Sequence, residues 1–323
     1  MKLINEVLKK DPDYASLLNE AERGRLPIVC TGLSLIHKAI IAASLRGHTG
    51  KRVVLITHDE ATAAELCGDI NALGLKCLNF PARDLCIGDL SGYSKEYEHK
   101  RIDTLSAVAD GAFDLLTISL DAAVQYTVKP EVLKGSRFTL KAGDSADTSE
   151  LAERLINAGY TRSQLCEGSG QFSVRGGIFD LFPVNSEKPC RIEFWGDEID
   201  SISYFDPETQ RREENADEIE ISPAAEVMFD PPKLAAKLKT EIPNPALTLK
   251  QRDILAKDAE LLENGVKIPP DRYIPLLDTM GAVFEYFGDS LLMLSESGNM
   301  AERFKSMEIQ LSADTENYLE EGY

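Results

Sequence analysis

The segment TGLSLIHKAI, Thr31 to Ile40, holds Gly32 and Lys38 at the spacing of a phosphate-binding loop, in which Gly, four residues and Gly-Lys-Ser/Thr cradle the phosphates of a nucleotide. His37 and Ala39 stand where that pattern has its second glycine and its hydroxyl. Ala39 cannot ligate magnesium. His37 carries a Cβ where the backbone must turn its N–H groups towards phosphate, a conformation that costs a non-glycine residue about 1–2 kcal/mol. Lys38 by itself is only a point charge. Taken alone, the stretch reads as an ordinary strand-to-helix turn behind the apolar run Pro27-Ile28-Val29-Cys30.

A second segment shifts that reading. Ser290-Leu291-Leu292-Met293-Leu294-Ser295-Glu296 reads as a buried strand ending in Ser-Glu. Phosphate-loop ATPases carry their magnesium and water ligands on a strand of apolar residues ending in Asp-Glu, and here Ser295 takes the place of the Asp. Two losses at matched places favour a degenerate ATPase fold over coincidence. No cofactor and no metal are expected, and no catalytic residue is assigned. The four histidines, His37, His48, His58 and His99, are dispersed and none sits beside a nucleophile elbow. The six cysteines show no C-x-x-C pair, which argues against a metal cluster or a disulfide framework and suits a reducing cytoplasm.

The 323 residues carry a formal charge of −19, so the surface repels phosphate backbones and anionic lipid unless a local basic stripe intervenes. The densest basic pairs, Lys100-Arg101 and Arg211-Arg212, lie beside Glu96 and Glu98 or Glu213 and Glu214 and read as solvated mixed charge. No apolar run approaches the roughly 18 residues of a membrane span, and MKLINEVLKKDPDY lacks the apolar core of a signal peptide. A cytoplasmic protein without membrane contact is expected.

The elements that must position these residues change character along the chain. Residues 1–24 have helical spacing; LPIVCTG reads as a short buried strand, and Lys38 to Leu45 as a helix ending at Gly47. Val53–Ile56, Cys77–Phe80 and Phe113–Ile118 read as further strands, separated by the helix EATAAELCGDINALG, a polar loop GDLSGYSKEYEHK and a helix from Arg101 to Asp110. Strands alternating with helices imply an α/β fold with a parallel, doubly wound sheet. Past about residue 124 the pattern turns α+β: a helix SELAERLINAGY with Ser149 as N-cap, then QFSVRGGIFDLFP and CRIEFWGDEIDSISYFD as short strands, closed by Asp206-Pro207. Residues 207–270, acidic and then Pro-punctuated and helical, read as a small insertion rather than a second sheet.

GQFSVRGGIFDLFP followed closely by RIEFWGDEIDSISYFDPETQR resembles the module shared by the excision-repair helicase UvrB and the transcription-repair coupling factor Mfd. ERLINAGYTRSQLCEGSGQFSVRGG is closer to the Mfd side, and only DLCIGDLSGYSKEYEHK stands where UvrB has its long aromatic hairpin. The resemblance implies a RecA- or helicase-like domain 1A with a degenerate ATP site at residues 1–124 and 271–323. It implies an α+β domain 2 at 125–206 that binds UvrA, and a small domain 1B at 207–270. It also implies an N-terminal fragment, whose family members engage RNA polymerase and DNA and translocate with ATP through domains beyond it.

Carried over by position, the UvrA contacts fall on Arg162, Arg175, Arg191 and Glu193, with Ser173 where UvrB has a further arginine. On a two-residue period Ser173 and Arg175 share one face, as do Arg191 and Glu193, opposite Phe172, Val174, Ile192 and Phe194. An exposed sheet face with three arginines and an acid is expected. Its bland alternative is a solubilising face whose arginines pair with Glu193, Asp197 or Glu198. Trp195 is an interface anchor if it is exposed. The function expected is non-catalytic recruitment of UvrA to stalled RNA polymerase for transcription-coupled repair. The alternatives are an active ATP-dependent helicase module like UvrB, and direct DNA binding.

Overall fold

The computed structural model describes residues 1–84, 95–266 and 268–321. Residues 85–94, Cys86 included, lie outside them, so the reading of that part of DLCIGDLSGYSKEYEHK against a DNA-gripping hairpin is not addressed by the structure; Lys95–Lys100, read as the end of the polar loop, instead open the helix Lys95–Ala109. The chain forms two compact units, one of Met1–Arg83, Ala107–Gln125 and Ala282–Glu321, the other of Asp84–Ser106 and Tyr126–Gly281.

The first unit is built on a four-stranded parallel sheet in the order Leu291–Leu294, Val53–Thr57, Leu115–Ser119, Cys77–Phe80. Val53 is in register with both Leu291 and Leu115. The two central strands are buried at every position, as unbroken apolar runs must be when both sheet faces are covered. Ala39, Ala42 and Leu45 of helix Leu35–Thr49 and Leu66 and Ile70 of helix Glu60–Ala72 pack with them. The mixed α/β class with a parallel sheet is therefore as expected.

Three local expectations are corrected. The run Pro27–Cys30 forms no strand: Val29 is 83% exposed, and Pro27 brings no N–H to a ladder. The following helix begins at Leu35, ahead of Lys38, and passes Gly47 to end at Gly50, whose φ of 72° gives the left-handed cap. The strand Leu291–Leu294 lies at the sheet edge instead of inside it, with Leu292 49% and Leu294 61% exposed.

The second unit carries a six-stranded sheet in the order Arg212–Ala216, Glu198–Phe205, Cys190–Trp195, Ile178–Leu181, Gln171–Arg175, Thr161–Arg162. All neighbours are antiparallel except the last pair. Phe172, Phe179, Ile192 and Ile202 form its apolar face, with Leu151 and Leu155 of helix Thr148–Asn157 in the same core. Asp147, not Ser149, caps that helix, accepting from the N–H groups of Ser149 and Glu150 at 2.7 and 2.9 Å. A separate strand, Glu218–Ile221, pairs with Phe138–Lys141 and adds Ile219 and Ile221 to the core.

The strands at 212–216 and 218–221 show that pairing does not stop at Asp206-Pro207. Asp206 accepts from the N–H groups of Glu208 and Thr209, and this turn sends the chain back as a sixth strand instead of closing the sheet. Helices follow only at Pro231–Glu241 and Leu249–Glu263. Arg101 also departs from expectation. It is fully buried, its Nε and Nη2 donating to Glu226 at 2.7 and 2.8 Å, while Glu98 accepts from the Glu226 N–H. The run of charge around Arg101 is thus partly an internal network and not a solvated face, because two-pronged pairing supplies the partners that a buried guanidinium needs.

Candidate functional site

Two groups of polar residues singled out by sequence are assembled by these units. In the first unit, Gly32 has a φ of 76° and the helix starts three residues later, at Leu35. Ser34 is the N-cap; His37 sits in the first helical turn, its Nδ1 2.9 Å from the Ser34 hydroxyl. Where the phosphate pattern needs a glycine, the chain has a capping residue. Ala39 is fully buried in the core. Lys38 reaches across to the end of the edge strand, where Nζ donates to Ser295 Oγ at 3.1 Å and forms an ion pair with Glu296. The lysine's hydrogen bond and ion pair hold the Glu296 carboxyl below the ordinary glutamate range. Glu296 also takes a φ of 58°, a left-handed conformation that side chains rarely adopt.

In the second unit the strand register sorts the expected contact residues. Arg175, Ile178, Glu193 and Ser201 form one transverse row; Ser173, Asp180, Arg191 and Ser203 form the next on the same face. The hairpin that creates this register turns at Gly176-Gly177. Gly176 has a φ of 61°, and a Cβ on Gly177 would come within 2.9 Å of the Phe194 carbonyl oxygen. The face therefore brings Arg175, Arg191 and Glu193 together, as period-two alternation predicts. Arg162 is exposed but in register with Phe172, whose side chain is in the core, so it does not join them.

The face is less open than three exposed arginines would make it. Asp180 has no exposed side-chain surface and is shared by two guanidinium groups. Arg191 grips it with two prongs, Nε to Oδ1 at 2.7 Å and Nη2 to Oδ2 at 3.0 Å, and Arg175 Nη2 donates to Oδ2 at 2.5 Å. Only 16% of the Arg191 side chain is exposed, its guanidinium lying 4.8 Å from the Phe205 ring centre. The bonds to Asp180 hold its proton more firmly than usual. Arg175 keeps 45% exposure and is the outward-facing member. Beside this cluster the Cys166 thiol is pushed up to about 12 by burial and then by the Asp180 charge.

Two participants escaped the sequence reading. Asp180 lies inside GIFDLFP, where the two-residue turn at Gly176-Gly177 sets it opposite Ser173 and the next strand pairing sets it opposite Arg191. Arg212, read as solvated charge, donates from Nη1 to Glu193 Oε2 and from Nη2 to Ser201 Oγ, both at 3.3 Å. Trp195 continues the Arg191 and Glu193 alternation and is 84% exposed at the strand's end.

Residues 138–227 match the family described as the UvrB interaction domain. Along its whole length the chain is similar to the transcription-repair-coupling factor of Bacillus subtilis (strain 168), at 29% identity over 338 residues, 29% of that protein. It is likewise similar to the factors of Staphylococcus aureus strains USA300 and MRSA252, each at 28% identity over 336 residues. The chain thus spans under a third of the length of these relatives.

Proposed function

We propose that this chain, which matches the UvrB interaction domain and resembles transcription-repair-coupling factors from end to end, is a recruiting module that binds UvrA through the arginine face of its six-stranded sheet. The observation that carries the reading is the position of Arg175, Arg191 and Glu193, which lie inside the matched span and on one sheet face, with Trp195 exposed beside them. Such a surface offers an aromatic anchor and an outward guanidinium to a partner that presents carboxylates. On a chain of net charge −19 this favours a protein partner over a phosphate backbone. The coverage of the relatives makes a place in transcription-coupled repair, with RNA polymerase and DNA engaged elsewhere, part of the proposal. So is a cytoplasmic setting; no described helix is long and apolar enough to cross a membrane.

The parallel-sheet unit is read as a degenerate RecA-like scaffold without catalysis. Support comes from Lys38, whose amine is occupied by Ser295 and Glu296, and from a helix that starts at Leu35, so that His37 lies in its first turn where the phosphate pattern has a glycine. Arg175→Ala is expected to weaken UvrA binding by about 2–5 kcal/mol if the contact is desolvated, with an unchanged fold. A pull-down in which folded Arg175→Ala and Arg191→Ala both retain UvrA like wild type removes the proposal. Turnover of ATP by the purified chain would overturn the scaffold reading.

A further inference from the structure

We propose that Asp180 is a positioning residue: a buried carboxylate that sets the Arg175 guanidinium in the orientation in which it meets an acidic partner. The inference rests on the UvrA reading above and adds to it a residue that cannot itself touch the partner. Asp180 is fully buried, and both its oxygens accept from arginine: Oδ1 from Arg191 Nε, Oδ2 from Arg191 Nη2 and Arg175 Nη2. Its register neighbours on the same row, Ser173 and Ser203, are buried, and among the described residues neither hydroxyl bonds an arginine; beyond Asp180, Arg191 has a longer bond from Nη1 to the Gln210 carbonyl at 3.4 Å. Another acid of the face, Glu193, is held by Arg212 and Ser201.

The consequences follow from how arginine binds. A half-exposed arginine must give up most of its rotamer freedom to meet a carboxylate, and a fork fixed in advance gives up less. Arg191, gripped from two sides and mostly covered, completes the coordination of Asp180. Arg175 spends a single Nη2 bond on the same oxygen, and the rest of its guanidinium is left for an incoming acid. Two arginines around one aspartate also leave one positive charge uncompensated in the cluster, which attracts that acid. The opposing possibility is that Asp180 competes with the partner and masks the arginines. The two differ in sign: loss of the carboxylate weakens binding in the first case and tightens it in the second.

The test measures UvrA affinity calorimetrically for wild type, Asp180→Asn, Arg175→Gln and the double variant, with thermal unfolding recorded for each. Positioning predicts that Asp180→Asn binds about tenfold more weakly, and that the same change costs almost nothing once Arg175→Gln is present. Equal losses in both backgrounds would mark a purely structural residue and overturn the proposal; unchanged or tighter binding by Asp180→Asn would overturn it too. Should Asp180→Asn fail to fold, side-chain NMR of the wild-type protein decides. The Arg175 Nε–H vector is expected to be more ordered than that of exposed Arg162, and equal mobility refutes positioning. Failure of wild type to bind UvrA would remove the recruiting reading, whereas wild-type binding with an unaffected Asp180→Asn removes the positioning role alone.

Discussion

In the parallel-sheet unit one lysine meets one glutamate, and in the antiparallel-sheet unit one aspartate meets two arginines. Lys38 is the covered partner of its pair, at 13% exposure, and Glu296 the exposed one at 52%. In the second unit the acid is buried and the outer arginine, Arg175, keeps 45% exposure. The first arrangement cancels its charge and points a carboxylate at solvent. The second leaves a net positive charge and points a guanidinium outward. On the recruiting proposal, what separates the two cations is the stoichiometry of their internal counter-ions and which member is buried.

Breaking the buried centre should have the largest effect. Arg191→Ala leaves the Asp180 carboxylate buried with one donor from Arg175, and removing a partner from a buried pair costs about 3–5 kcal/mol; the remaining bond puts this case near the lower figure. Urea unfolding of the two proteins measures it, and a loss below about 1 kcal/mol would mean that the centre is more hydrated than its burial implies. Next in size is Trp195→Ala, expected to reduce UvrA affinity by about 2 kcal/mol as an anchor does, while the unfolding midpoint stays put because the ring is 84% exposed. A falling midpoint with unchanged affinity would reverse that assignment.

The contrast between the two centres was only partly visible in the sequence. Alternation in QFSVR and RIEFW was enough to place Arg175, Arg191 and Glu193 on one face, because a period of two leaves little freedom once the strands are identified. It could not show that Arg191 is nearly covered. That depends on Asp180, on a strand whose other residues are apolar, and on the turn after Asp206, whose Gln210 carbonyl accepts from Arg191 Nη1 at 3.4 Å. Arg162 rests on its position in a motif alone, and the register sends it away from Arg175. In the first unit Val53–Ile56 and Phe113–Ile118 read as strands, and both lie at the centre of the sheet. Pro27–Cys30 is equally apolar yet unpaired and largely exposed, since an apolar run does not say whether a neighbouring strand or a covering layer is there to meet it. The Lys38 and Ser295 departures from the ATPase pattern were legible as losses; that the two residues now bond each other was not, being a contact across 257 positions of sequence.

The exposed centre should respond least. Lys38→Ala removes an ion pair whose acid is half in water, so thermal stability should fall only slightly, and calorimetric titration with magnesium-ATP should look the same for variant and wild type. A heat of nucleotide binding that is present in wild type and lost in Lys38→Ala would return the lysine to a phosphate-handling role and dissolve the comparison. The pair has its own signature in pH. Glu296 titrates below the ordinary glutamate range when folded, chiefly through its hydrogen bond to Lys38, so its contribution to stability is fully present above the unfolded value and lost as pH falls through the folded one. The stability difference between wild type and Glu296→Gln should therefore favour wild type at neutral pH and shrink as the medium is acidified below the usual glutamate pKa. A difference independent of pH over that window would show that the left-handed backbone at Glu296, and not its charge, is what Lys38 holds in place.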